Sequence, residues 1–115
     1  MSRRTQRIAE QLKSEIARLL IEDVTDPRIA LVTLTRVDVA PDLSHAVVFW
    51  SALDSTALDR IEDGLESAAP FLRRCLAREL PLRRMPELRF RHDPSFELGS
   101  RTLAVLRSLS DDEPA

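Results

Sequence analysis

Three kinds of residue in this chain carry side chains suited to chemistry, and their spacing decides which chemistry is open to them. Cys75 is the one cysteine; it stands in helical register with Leu72 and Leu76, far in sequence from any histidine, and reads as a small core hydrophobe rather than a nucleophile. His45 and His92 stand alone, without metal-ligand spacing, and Asp38, Asp42 and Asp54 fall around turns and caps, where carboxylates serve locally. Only two glycines occur, Gly64 and Gly99, so the chain has no glycine-rich phosphate loop for nucleotide hydrolysis. The residues therefore point to no catalytic group, no metal and no cofactor. What remains is arginine, which supplies sixteen of the 17 basic residues and whose planar guanidinium suits bidentate contact with phosphate.

The formal net charge is −2, yet the charge is polarised along the chain. Residues 1–18 hold five basic and two acidic residues, and residues 71–91 hold seven basic and two acidic. Between Asp38 and Glu66 seven acids face Arg60 alone. A molecule with a basic and an acidic side is implied. The candidate RNA contacts are Arg4, Arg7 and Arg18 in the first segment, and Arg73, Arg74, Arg78, Arg83, Arg84, Arg89 and Arg91 in the second. With no tyrosine and five aromatics, exposed platforms for stacking bases are scarce, and Trp50, in an apolar run, reads as core. Holding phosphate is favoured over reading sequence. The competing expectation is an adaptor module whose acidic region 38–66 docks a basic protein while the arginines keep the surface solvated.

The elements that must position these arginines follow from hydrophobic spacing. Ile8, Leu12, Ile16, Leu19 and Leu20 recur at helical intervals from Arg3 to about Asp23, with Ser2 as N-cap, and Arg4, Arg7 and Arg18 fall on the opposite face. Asp26-Pro27 stops that helix. Ile29 to Val39 is β-branched and reads as a strand with an ambiguous inward face; the turn at Pro41-Asp42 leads to a second strand over Ala46 to Ala52, paired as an antiparallel hairpin. Asp54, Ser55 or Thr56 caps a second helix, which Pro70 kinks or restarts into a third over Phe71 to Leu80, with Arg74 and Arg78 outward. A third strand, Glu87 to His92, alternates Leu88 and Phe90 with Arg89 and Arg91. Leu103, Leu106 and Leu109 mark a last amphipathic helix, and residues 110–115 read as an acidic disordered tail after a single domain over 1–109. The order α-β-β-α-α-β predicts an α+β fold with helices on one face of a three-stranded sheet, of the type II KH arrangement. At 115 residues one core is expected, no apolar run reaches the ~20 residues of a membrane span, and a lone cysteine fits a reducing, cytoplasmic compartment.

In their order and spacing, Asp26-Pro27-Arg28-Ile29, Val32-Thr33 with Val37, Asp42-Leu43 with Ala46, Leu72-Arg73, Leu82-Arg83, Pro86-Glu87-Leu88 with Phe90, Asp93 with Ser95, and Gly99 with Arg101 resemble the bacterial ribosome-binding factor A family over nearly the whole chain. The resemblance implies a type II KH fold and a monomeric, non-catalytic factor. It also implies binding to the small (30S) ribosomal subunit and its 16S rRNA in late maturation, help with 5′-end processing, and release by a ribosome-associated GTPase. The family's Ala-x-Gly kink, which stands in for the Gly-x-x-Gly loop of KH domains, matches Ala68-Ala69-Pro70 here. Proline preserves a bend but not glycine's freedom for close backbone approach to a phosphate.

Overall fold

The first helix, α1 (Arg3–Glu22), begins where the sequence places it. Ser2 caps it, its Oγ accepting from the Thr5 backbone N–H at 3.2 Å. Thr5, Ile8, Ala9, Leu12, Ile16, Leu19 and Leu20 form its buried stripe. A computed structural model describes residues 2–29, 32–52 and 57–94. The last turn of α1 closes with the Asp23 N–H donating to the Leu19 carbonyl at 2.9 Å, and Pro27–Ile29 then form a single 3-10 turn. Ile29, predicted to open the first strand, belongs to this turn and is buried; β1 starts later, at Val32, and runs to Val39. Pro27's fixed φ favours the tight turn over extended backbone at this point.

β1 pairs antiparallel with β2 (His45–Ala52), the predicted hairpin, and β2 pairs in parallel with β3 (Glu87–His92), giving the sheet order β1-β2-β3. The ambiguous inward face of β1 has a specific cause. The register slips between Leu34 and Arg36, leaving Thr35 as a bulge, so Leu34 is buried before it and Val37 and Val39 after it. One extra residue switches the face, so neither set of alternate residues is inward throughout. Asp93 fastens this point: its Oδ2 accepts from Thr35 Oγ1 at 2.8 Å and its N–H donates to the Trp50 carbonyl at 2.7 Å, joining all three strands. In the hairpin turn Leu43 adopts φ 60°, while Asp42 Oδ1 accepts from the Ser44 N–H at 3.0 Å and its Oγ at 2.7 Å. Those hydrogen bonds hold the Asp42 carboxyl below its ordinary pKa.

The second helix, α2 (Leu58–Glu79), runs without interruption through Pro70, which corrects the expectation of two helices there. Pro70 and Glu66 are both exposed, so the carbonyl that loses its helical partner lies on the solvent side, where water can satisfy it. The buried stripe Ile61, Gly64, Leu65, Ala68, Leu72 and Leu76 continues in phase across the proline, and this packing holds the helix together. Asp54, Ser55 and Thr56 lie outside the described residues, and Ala57, which precedes the helix, gives no side-chain cap. Both helices cover one face of the sheet, α1 over β1 and α2 over β3. Between them, Ala46, Val48, Trp50 and Leu88 close a single core. Trp50 is fully buried, and its Nε1 has no hydrogen-bond partner among the described residues. Gly64 permits one close approach: a Cβ there would stand 2.8 Å from Ile29 Cγ2 and 3.2 Å from Arg28 Cβ. The predicted C-terminal helix and the 110–115 tail lie outside the described residues.

Candidate nucleic-acid interface

The arginines divide by what surrounds them. On α1, Arg3, Arg4 and Arg7 are exposed, and Arg7 borders a shallow groove with Glu10, Gln11, Ser14, Glu15 and Leu80, so this stretch of the first helix lies beside the end of α2. Arg18 is different. Its Nη2 lies 2.9 Å from Glu15 Oε2 and 3.8 Å from Glu79 Oε1, and its Nη1 lies 2.9 Å from Glu22 Oε2. The hydrogen bonds it donates to Glu15 and then to Glu22 raise its pKa still further, so its charge is taken up by carboxylates of α1, with Glu79 approaching from α2. The spacing that put Arg18 in line with Arg4 and Arg7 also put carboxylates three residues before it and four after it.

At the end of α2, Arg74 and Arg78 stand opposite the buried stripe and face solvent. Arg73 reaches sideways, its Nη2 donating to the Met85 carbonyl at 3.1 Å, which pins the 80–86 connection to the helix. Arg83 and Arg84 are exposed on that connection, which is anchored by the buried Pro86. No carboxylate lies within ion-pair distance of Arg74, Arg78, Arg83 or Arg84 among the described residues. Arg89 and Arg91 do not share this surface. Leu88 points into the core, so the alternation of β3 sends both arginines to the sheet face opposite α1 and α2. The arginines from 73 to 91 therefore line two outer sides of a two-layer molecule, with the 80–86 connection at the edge between them.

Three features of the site went unseen in the sequence. Arg36 lies on the same open sheet face, its Cζ 4.2 Å from the centroid of the Phe49 ring and its Nε 3.3 Å from Asp38 Oδ2. Arg89 is balanced by Glu87 at 3.7 Å. Arg28 is held by Asp26, with Nη2 2.6 Å from Oδ2 and Nε 3.0 Å from each carboxylate oxygen. That bidentate contact, with the Arg28 backbone N–H, holds the Asp26 carboxyl below its ordinary pKa and raises Arg28. Local signals existed: Asp26, Asp38 and Glu87 stand two residues from Arg28, Arg36 and Arg89, and Phe49 is an aromatic residue at an outward strand position. Its meeting with Arg36 depends on the bulge at Thr35. Among the described residues, no group of three or more His, Cys, Asp and Glu side chains is placed to hold a metal, and no helix is long and apolar enough to span a membrane.

The ribosome-binding factor A family model matches residues 4–106. The chain belongs to the ribosome-binding factor A family. Ribosome-binding factor A of Dechloromonas aromatica is 39% identical over 114 residues, covering 96% of this chain and 93% of that protein. The crystal structure of ribosome-binding factor A from Thermus thermophilus superposes with a TM-score of 0.69 at 28% identity, over 76% of this chain and 94% of that one. The Thermus thermophilus factor fitted into the cryo-EM map of a 30S complex gives a TM-score of 0.60 at 31% identity, over 75% and 91%. Members of this family are non-catalytic assembly factors. Several residues that carry the family resemblance prove to be structural: Asp26 and Arg28 form the ion pair under α2, Asp42 and Leu43 make the hairpin turn, and Asp93 ties the sheet.

Proposed function

We propose that this chain binds the small ribosomal subunit through its 16S rRNA and acts there as an assembly factor in late maturation. The family match across residues 4–106 carries this reading, and a Thermus thermophilus relative described in complex with 30S supports it. The exposed arginines without carboxylate partners suit the task, since phosphate neutralisation by fixed guanidinium groups gives strong, salt-dependent and sequence-independent binding. Arg74, Arg78, Arg83 and Arg84 form the principal contact. Arg4 and Arg7 extend it across the helix layer, Arg73 positions the loop, and Arg89 and Arg91 act from the opposite face. Arg18 serves to hold α1 against α2.

The reading includes a type II KH arrangement within one domain over residues 1–109, a monomer working in the cytoplasm, help with 5′-end processing, and release by a ribosome-associated GTPase. In the acidic region 38–66, Asp38 is paired with Arg36 and Asp42 is used within the hairpin turn, while Asp59, Glu62, Asp63 and Glu66 are exposed on α2; the family match favours the RNA reading over the adaptor alternative.

The test is co-sedimentation of the full chain with small subunits at low and high salt. Comigration at low salt that weakens at high salt is expected. The variant with Arg74, Arg78, Arg83 and Arg84 all changed to glutamate loses it while keeping the wild-type circular dichroism spectrum. Absence of comigration at both salts overturns the reading.

A further inference from the structure

The sheet face that carries no helix among the described residues presents a guanidinium already laid on an aromatic ring. Arg36 Cζ stands 4.2 Å above the Phe49 centroid, and its Nε lies 3.3 Å from Asp38 Oδ2, so two contacts orient the guanidinium over the ring. The side chain of Arg36 is nonetheless 60% exposed. Sheet register places Arg36 opposite Phe49 and Phe49 beside Arg91, so the three form a row across the strands. Two strand spacings separate the ends of that row by about 10 Å. Both carboxylates of this face, Asp38 and Glu87, are already paired, with Arg36 and Arg89, whereas Arg91 has no carboxylate partner among the described residues. The face thus joins a flat, half-desolvated cationic surface to an uncommitted positive charge. A π face and an adjacent phosphate satisfy both, and a nucleotide supplies them together.

We propose that this face takes an unpaired RNA nucleotide, its base stacked on the Arg36–Phe49 pair and its phosphate on Arg91. The inference rests on the RNA-binding reading above and adds to it a contact that discriminates single-stranded from duplex RNA. A base inside a helix is stacked on both sides and cannot lie on the pair. Phosphates, in contrast, are offered by single strand and duplex alike.

The experiment titrates the full chain and its variants with a single-stranded oligouridylate and with a duplex RNA of the same length, at several salt concentrations, alongside subunit co-sedimentation. Phe49→Leu and Arg36→Gln are each expected to weaken single-strand binding about tenfold, with the salt slope and duplex binding unchanged. Arg91→Gln is expected to weaken both and to flatten the slope by about one phosphate contact. Both side chains lie on the outer sheet face, and matching melting curves for Arg36→Gln keep the result interpretable if Phe49→Leu loses stability. Wild-type single-strand affinity in both variants overturns the stack, as does an equal loss on duplex. Intact RNA binding with lost subunit binding assigns the face to a protein and also overturns it. Failure of the unmodified chain to bind subunits defeats the broader reading instead.

Discussion

Arginine does opposite work in two parts of this molecule. On α1, Arg18 is clasped by Glu15 and Glu22 and approached by Glu79 from α2, and beneath the start of α2 Arg28 is locked on Asp26. Elsewhere on the surface of the C-terminal part of α2 and along the 80–86 connection, Arg74, Arg78, Arg83 and Arg84 face solvent with no carboxylate within ion-pair distance among the described residues. The residue type is the same; the neighbours differ. A guanidinium saturated by carboxylates has little left for a phosphate, because a competing anion must displace those partners at a cost close to its own gain. The first region is therefore a structural junction and the second a surface for a polyanion, and a count of positive charges cannot separate the two.

Substitutions that keep these roles apart test that contrast. The largest effect on stability is expected at Gly64, where a methyl group meets Ile29 Cγ2 at 2.8 Å and the Arg28 backbone end at 3.2 Å. Gly64→Ala should cost about 1–3 kcal/mol by overpacking, read by urea unfolding, with RNA affinity per folded molecule unchanged. A loss of affinity without loss of stability would instead place the junction in the interface.

Next comes Asp26. Its carboxyl titrates lower in the folded chain than in the unfolded one, so the pair stabilises the fold above the unfolded value and is lost as the pH falls through the folded value. Asp26→Asn should lower the melting temperature near neutrality and flatten its decline in acid; an unchanged acid limb would mean that Asp26 contributes nothing to the linkage. The smallest effect is expected at Arg18. Arg18→Gln should lower the melting temperature slightly, in a way that added salt removes, and should leave subunit binding and its salt slope as they are. A reduced slope would move Arg18 to the RNA-facing group and dissolve the contrast.

Much of this was legible from spacing alone. The buried stripe of α1, its Ser2 cap, the hairpin and the outward pair Arg89 and Arg91 all follow from periods of 3.6 and 2, which local sterics impose on any chain. Pro70 misled because local propensity predicts a break, whereas the packing of Leu65, Ala68, Leu72 and Leu76 carries the helix through it. The inward face of β1 could not be read because a bulge at Thr35 shifts the alternation, and that bulge is fastened by Asp93, 58 residues away in sequence.

The sequence by itself determined α1, the hairpin, β3, the family and the presence of an arginine-rich segment, since each depends on residues near one another in the chain or on their order. Local spacing already pairs Arg18 with Glu15 and Glu22, Arg28 with Asp26, Arg36 with Asp38 and Arg89 with Glu87, and only the tertiary structure decided what distant segments bring to the arginines. Whether a charge is neutralised depends on groups within about 4 Å in space, and Glu79 beside Arg18, or Phe49 beneath Arg36, reach that distance only once helices and strands from distant segments have packed.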